Sequence, residues 1–202
     1  LLVKVFRYIN KDNKYYKLKD NIGLNNYFDD IGFGFCYNND FKIMYSCIAL
    51  NEILIHRGSS SIMQCELYIN NKNVTSVTSD GLIIATPTGS TAYNVSAGGS
   101  LVAPNVHTIQ LTPICPHTLS FRPVIINGNS YVTVVIPNHA RYKPTICCDG
   151  KNNFQLNCGD IIVIQKSNIP LPTFKLKSYQ NEWWDGLVTK LNWNSRSVQQ
   201  KP

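Results

Sequence analysis

Asp80 to Pro104 reads DGLIIATPTGSTAYNVSAGGSLVAP, and the rest of the chain is understood outward from it. It opens with Asp-Gly, a turn dipeptide, and continues as a short apolar strand from Leu82 to Ala85. At Thr86-Pro87-Thr88-Gly89-Ser90-Thr91 the character changes to small, hydroxyl-rich and turn-forming, and the following Ala92 to Gly98 suits a helix. A strand feeding such a bend at the head of a helix presents backbone N–H groups and the positive end of the helix dipole. That arrangement suits an anion or a nucleotide. A Ser/Thr/Gly turn is also an ordinary helix cap, so the pattern alone leaves both uses open.

The β rhythm of Leu82–Ala85 repeats from Cys65 onward. Short Val/Ile/Tyr/Thr segments lie at 65–69, 74–78, 82–85, 108–112, 124–126, 131–136, 145–148, 161–166 and 173–177. Turn signals separate them at Asn70-Asn71-Lys72, Asn127-Gly128-Asn129, Asp149-Gly150 and Gly159-Asp160. Such spacing predicts a mainly β protein, an antiparallel β-sandwich rather than a βαβ array, with one short helix after the TPTGSTAY turn. Leu1 to Ile9 alternates and reads as a further strand. Asp40 to His56, DFKIMYSCIALNEILIH, is long enough for a helix and apolar enough for a strand, and its pattern does not choose. Lys11 to Asp30 is polar and asparagine-rich, which reads as an insertion or long loop. Glu182 to Trp193 places Trp184, Leu187, Val188 and Leu191 at helical spacing, with Asp185 and Lys190 off that face, predicting an amphipathic terminal helix.

Composition excludes several classes. At 202 residues, 44% hydrophobic and 15% charged, the chain can bury a sound core. Nineteen Lys and Arg against twelve Asp and Glu give +7. The bases are scattered, without the concentrated footprint of a nucleic-acid binder, and a polyanionic small ligand accounts for the balance. Seven cysteines without a Cys-x-x-Cys pair read as reduced thiols used as small core residues. Adjacent Cys147 and Cys148 would point to opposite faces of a strand. No apolar run is long enough to span a membrane and no signal peptide is visible, so a cytoplasmic location without membrane partners is expected. The sequons at Asn73 and Asn94 are taken as incidental.

Three stretches together resemble the NAD kinase family: the Asp80–Pro104 segment, Asn51-Glu52 within ALNEILIHRGSSS, and LTPICPHTLSFRPVII from Leu111 to Ile126. The resemblance extends from about Ala49 to Trp193. It implies the family's C-terminal β-sandwich and ATP-dependent phosphorylation of the 2′-hydroxyl of NAD's adenosine ribose, giving NADP. ATP with Mg²⁺ as donor and a homo-oligomer, dimer or tetramer, come with it. The family's Gly-Gly-Asp-Gly segment, whose aspartate is its catalytic base, does not occur in these residues. The chain is therefore expected to be the C-terminal part of a longer enzyme, inactive alone, with no catalytic or metal-binding residue of its own. Residues 1–178 would form the NAD-binding sandwich, and 179–202 a helix and tail that pack on the N-terminal domain.

The resemblance also implies a set of site residues. Glu52 would accept hydrogen bonds from ribose hydroxyls while the Asn51 amide bridges ligand groups, although a buried polar pair also serves structure alone. A carboxylate suits a vicinal diol because it accepts without needing to donate. Asp80, explicable by turn chemistry, corresponds to the residue on the nicotinamide side, often across a subunit boundary. Thr88, Thr91 and Ser96 would supply hydroxyls and Ala92 a close backbone approach. Tyr93 would offer a stacking face, though aromatic burial is the commoner fate. Cys115 borders the pocket, and Lys151 either faces phosphates or is a solvated loop lysine. His117 and Arg122 read as structural, the first hydrogen-bonded and the second ion-paired. Two other uses of such a sandwich stay open: a non-catalytic oligomerisation module, and a related lipid or sugar kinase domain.

Overall fold

The structure, a computed structural model, describes residues 1–8, 41–58, 61–172 and 182–195. The Lys11–Asp30 segment, Cys36 and the strand expected at 173–177 lie outside the described residues. Contacts divide the chain into two compact units, Leu1–Ser167 and Asn168–Pro202.

The first unit is a sandwich of two antiparallel six-stranded sheets. Sheet A contains β1 (Leu2–Tyr8), β2 (Phe41–Ile48), β4 (Met63–Ile69), β5 (Lys72–Ser79), β9 (Val132–Val135) and β12 (Ile161–Gln165), in the order β2-β1-β12-β9-β4-β5. Sheet B contains β3 (Glu52–His56), β6 (Gly81–Ala85), β7 (Thr108–Ile114), β8 (Val124–Asn127), β10 (Thr145–Cys148) and β11 (Lys151–Gln155), in the order β11-β10-β3-β6-β7-β8. Mainly β, antiparallel and two-layered is what the strand spacing predicts. Ile53, Ile55, Leu82, Ile84, Ile109 and Leu111 of sheet B meet Val3, Val5, Leu67, Val132, Val134 and Ile164 of sheet A in one core. Alternate residues of each strand fill it, as the two-residue period requires.

The ambiguous run Phe41–His56 resolves into two strands on different sheets. β2 is an edge strand of sheet A, and β3 lies inside sheet B between β10 and β6. Ala49, Leu50 and Asn51 carry the chain from one layer to the other. Periodicity could not show this, because an edge strand and a central strand in succession have no common burial pattern. Asp80-Gly81, read as a turn, likewise crosses between layers, from β5 to β6. Asn70-Asn71 and Asp149-Gly150 do close hairpins, β4–β5 and β10–β11. β11, with the sequence KNNFQ, was not foreseen as a strand, since its exposed polar face hides the pairing with β10.

The helix expected over Ala92–Gly98 is a single turn, α1 (Tyr93–Ser96), entered through a 3₁₀ turn at Thr88–Thr91. One turn aligns too few peptides for a strong dipole, so attraction of anions by the helix end is not the main resource here. The second unit carries α2 (Glu182–Leu191). Trp184 meets Trp183 edge-on at 4.6 Å and Trp193 at 6.3 Å. Of the predicted apolar face, Leu187 is buried, while Trp184, Val188 and Leu191 are exposed.

Candidate functional site

The site grows from the crossing between β2 and β3. Leu50 and Asn51 lie outside both ladders, so their N–H groups need partners elsewhere. Asp149 supplies them from the β10–β11 turn. Its Oδ2 accepts from the Leu50 N–H at 2.7 Å, and its Oδ1 accepts from those of Asn51 at 2.8 Å and Glu52 at 3.1 Å. In return the Asp149 N–H donates to the Glu52 carbonyl at 3.0 Å.

The hydroxyl-rich bend closes the other side. The Thr86 N–H donates to the Asn51 carbonyl at 2.8 Å, and the Thr86 hydroxyl donates to the Leu50 carbonyl at 2.7 Å while accepting from the Gly89 N–H at 2.9 Å. Gly89 is required by this approach, because a Cβ there would overlap the Asn51 carbonyl. The bend is in turn fastened to sheet B by buried polar side chains. Asn94, fully buried, accepts from the Thr112 hydroxyl at 2.6 Å and donates to Gln110 Oε1 at 3.2 Å. The Ser90 hydroxyl donates to the Val102 carbonyl at 3.1 Å and accepts from the Val102 N–H at 3.0 Å. Sequence reasoning passed over Ser90, Asn94, Gln110 and Thr112, although they decide where the bend sits. Mid-element polar residues beside apolar neighbours were the available signal.

Glu52 begins β3 opposite Ala85 and is 8% exposed. Burial raises its carboxyl above the ordinary value, the nearby Asp149 charge raises it further, and a hydrogen bond from the Tyr93 N–H opposes both. Its Oε2 is buried with no hydrogen-bond partner among the described residues. A buried acceptor without a donor is destabilising by about 1–3 kcal/mol, so this oxygen gains from any hydroxyl donor brought to it. Tyr93, 44% exposed, stands beside it. Thr88 and Ser96 are exposed, and Thr91 and Ala92 are half-buried on the same bend. Lys151 is exposed at the start of β11, two residues beyond Asp149.

The structure thus brings Asn51, Glu52, Thr88, Thr91, Ala92, Tyr93 and Ser96 to one end of the β3–β6 ladder, with Lys151 past the neighbouring turn. Asp80 and Cys115 are at the other end. Asp80 precedes Gly81, which pairs with His56, and is ion-paired with Arg57 Nε at 3.2 Å. Cys115, exposed and with φ of 43°, follows Ile114, the partner of Gly81. The five residues of β6 separate the ends by about 17 Å at about 3.3 Å per residue. Two structural expectations change. Arg122 is exposed and forms no ion pair with a described residue, and His117 is tied through its backbone, its N–H donating to the Thr78 carbonyl at 3.0 Å.

Among the described residues no group of three or more His, Cys, Asp or Glu could hold a metal ion. The described cysteines are free. Among the described residues no helix is long and apolar enough to cross a membrane.

Residues 50–176 match the model of the ATP-NAD kinase C-terminal domain. The chain is 46% identical over 148 residues to NAD kinase 2, chloroplastic, of Arabidopsis thaliana, covering 73% of this chain and 15% of that protein. The crystal structure of yeast NADH kinase complexed with NADH superposes with a TM-score of 0.68 at 29% identity, over 99% of this chain and 50% of that one. An NAD kinase from Archaeoglobus fulgidus in complex with ATP gives 0.59 at 28% identity, over 68% of this chain and 53% of that one. The chain spans half or less of the length of the curated relatives it matches, from 15% to 50%. With the asparagine–glutamate crossing and the TPTGSTAY bend meeting as described, the chain belongs to the ATP-NAD kinase family, whose C-terminal domain it carries at residues 50–176.

Proposed function

We propose that this chain holds the dinucleotide in an ATP-dependent phosphorylation of the 2′-hydroxyl of NAD's adenosine ribose, giving NADP. The observation that carries this is the buried, unpartnered Oε2 of Glu52 between the Asn51 crossing and the Tyr93-bearing bend. A vicinal diol brings two O–H donors to such an oxygen. The Asn51 amide bridges ligand groups beside it, the Thr88, Thr91 and Ser96 hydroxyls line the approach, and Ala92 allows close contact with the backbone. The exposed ring of Tyr93 gives a base or a nicotinamide a face to stack on. Lys151 suits the ligand's phosphates.

Phosphoryl transfer needs positioning, charge neutralisation and a base near the accepting hydroxyl. The residues above supply the first. ATP with Mg²⁺ as donor is part of the proposal, and the base is assigned to no residue of this chain.

A homo-oligomer belongs to the same proposal. Asp80 and Cys115 stand about 17 Å from Glu52 within one copy, and a second copy presenting its Asp80 end would complete the pocket. The exposed Val124 and Ile125 of edge strand β8, with Leu119 at 87% exposure, offer apolar surface for such assembly. The free cysteines suit the reducing cytoplasm.

Titration calorimetry of NAD against the chain tests the reading. Glu52→Ala should weaken NAD about ten- to a hundredfold, as expected for hydrogen bonds to a charged acceptor. Equal affinity of the two proteins, or preference for a diacylglycerol-type lipid over NAD, would sink it.

A further inference from the structure

We propose that Asp149 is a positioning residue: it presents Asn51 and Glu52 to the ligand by gripping their backbone, without touching the ligand itself. The inference rests on Glu52 being the ribose acceptor proposed above.

Three observations converge. First, one carboxylate takes the N–H groups of three consecutive residues, Leu50, Asn51 and Glu52, at 2.7, 2.8 and 3.1 Å. Successive N–H groups converging on an anion form a nest, and bonds to a charged acceptor are about twice as strong as neutral ones. Second, the turn does not itself call for a charge. Asp149 and Gly150 have φ of 48° and 68°, the type I′ geometry that Asn-Gly adopts as readily as Asp-Gly. The carboxylate is explained by what it holds at residues 50–52. Third, the crossing is gripped on both sides, by Asp149 and by Thr86 with Gly89. Its backbone therefore has little freedom to carry Glu52 away from the bend. The second negative charge beside Glu52 is tolerable because three N–H dipoles already face it.

The test is Asp149→Asn in the 202-residue chain, alone and combined with Glu52→Ala. NAD affinity is read by calorimetry, the fold by circular dichroism and Tm, and the crossing by amide hydrogen exchange at residues 50–52. Asparagine keeps the turn but leaves one acceptor oxygen for three donors. Asp149→Asn is expected to retain the fold, speed exchange at Leu50, Asn51 and Glu52, and weaken NAD about tenfold. In the Glu52→Ala background the same change should cost less than about twofold, because there is no carboxylate left to position. Equal cost in both backgrounds, or wild-type affinity in a folded Asp149→Asn protein, overturns the proposal. If the unaltered chain shows no NAD binding, the Glu52 reading fails on its own. The exchange data then decide for Asp149: faster exchange confined to 50–52 sustains the grip, and unchanged exchange removes it.

Discussion

Two tight turns of this molecule share a backbone and differ in one functional group. Asn70-Asn71 and Asp149-Gly150 both have φ of 48° and 68°, and both close a hairpin in the handedness that strand twist favours. In each, the first residue reaches out to a neighbouring segment. Asn70 Oδ1 accepts from the Tyr131 N–H at 3.0 Å, and its Nδ2 donates to the Ser130 hydroxyl at 3.4 Å. An amide, with donor and acceptor together, fits a partner that offers both. Asp149 meets three donors and no acceptor, and only a carboxylate can answer all of them. The amide fastens the start of a structural strand in sheet A. The carboxylate fastens the crossing into sheet B that carries Asn51 and Glu52. The group a turn residue carries is set by what it faces, once the turn itself is satisfied.

The strongest way to break this contrast is from the opposite side of the crossing. Gly89→Ala would drive a methyl group into the Asn51 carbonyl, so the bend or the crossing must move. A loss of about 3 kcal/mol, the upper part of the usual overpacking range, is expected in chemical denaturation, with NAD binding abolished. Wild-type stability and affinity together would show that the crossing is not pinned.

A smaller effect follows from pH. Burial and the Asp149 charge raise the Glu52 carboxyl above its ordinary value of 4.5. A raised carboxyl favours the protonated folded state. Its stabilisation of the unliganded protein is complete below about 4.5 and is lost as pH rises through the raised folded value. Under the proposed role of Glu52, binding runs the other way, because a diol donates to the carboxylate. NAD affinity should fall several-fold as pH drops through that raised value, a dependence that Glu52→Gln removes. Calorimetry across the pH range above the ordinary carboxyl value of 4.5 reads both trends. The Asn70 turn carries no titrating group and should contribute nothing to either.

The smallest effect comes from reversing the exchange. Asn70→Asp leaves two acceptors, and the Ser130 hydroxyl can rotate to donate. Stability should change by less than about 0.5 kcal/mol and NAD affinity not at all. A large loss would mean that the amide in sheet A is as specialised as the carboxylate in sheet B.

Much of the architecture was legible because its signals are local. The strands at 65–69, 82–85 and 161–166 are short, largely apolar runs bounded by turn signals, and they appear as β4, β6 and β12. β11 was illegible because KNNFQ brings only Phe154 to the core, and one apolar residue declares no period. The site was half legible. Asn51, Glu52 and Tyr93 stand out through resemblance to a family, and the fold brings them to one place. Asp149 did not stand out, because Asp-Gly already has a sufficient explanation as a turn. Asp80 has a turn explanation too, yet it is an ion-paired layer crossing at the far end of β6.

By itself, the sequence determined the β class, the hairpins at Asn70 and Asp149, and the kinship of residues 50–176, since each depends on residues close together along the chain. Only the tertiary structure decided that Asp149, 97 to 99 residues away in sequence, grips the backbone of Leu50 to Glu52. It alone also placed the Asp80 end about 17 Å from Glu52. The physical reason is that a backbone N–H is the same in every residue and leaves no mark in the sequence. Which carboxylate finds it is settled by how the two sheets are laid against each other.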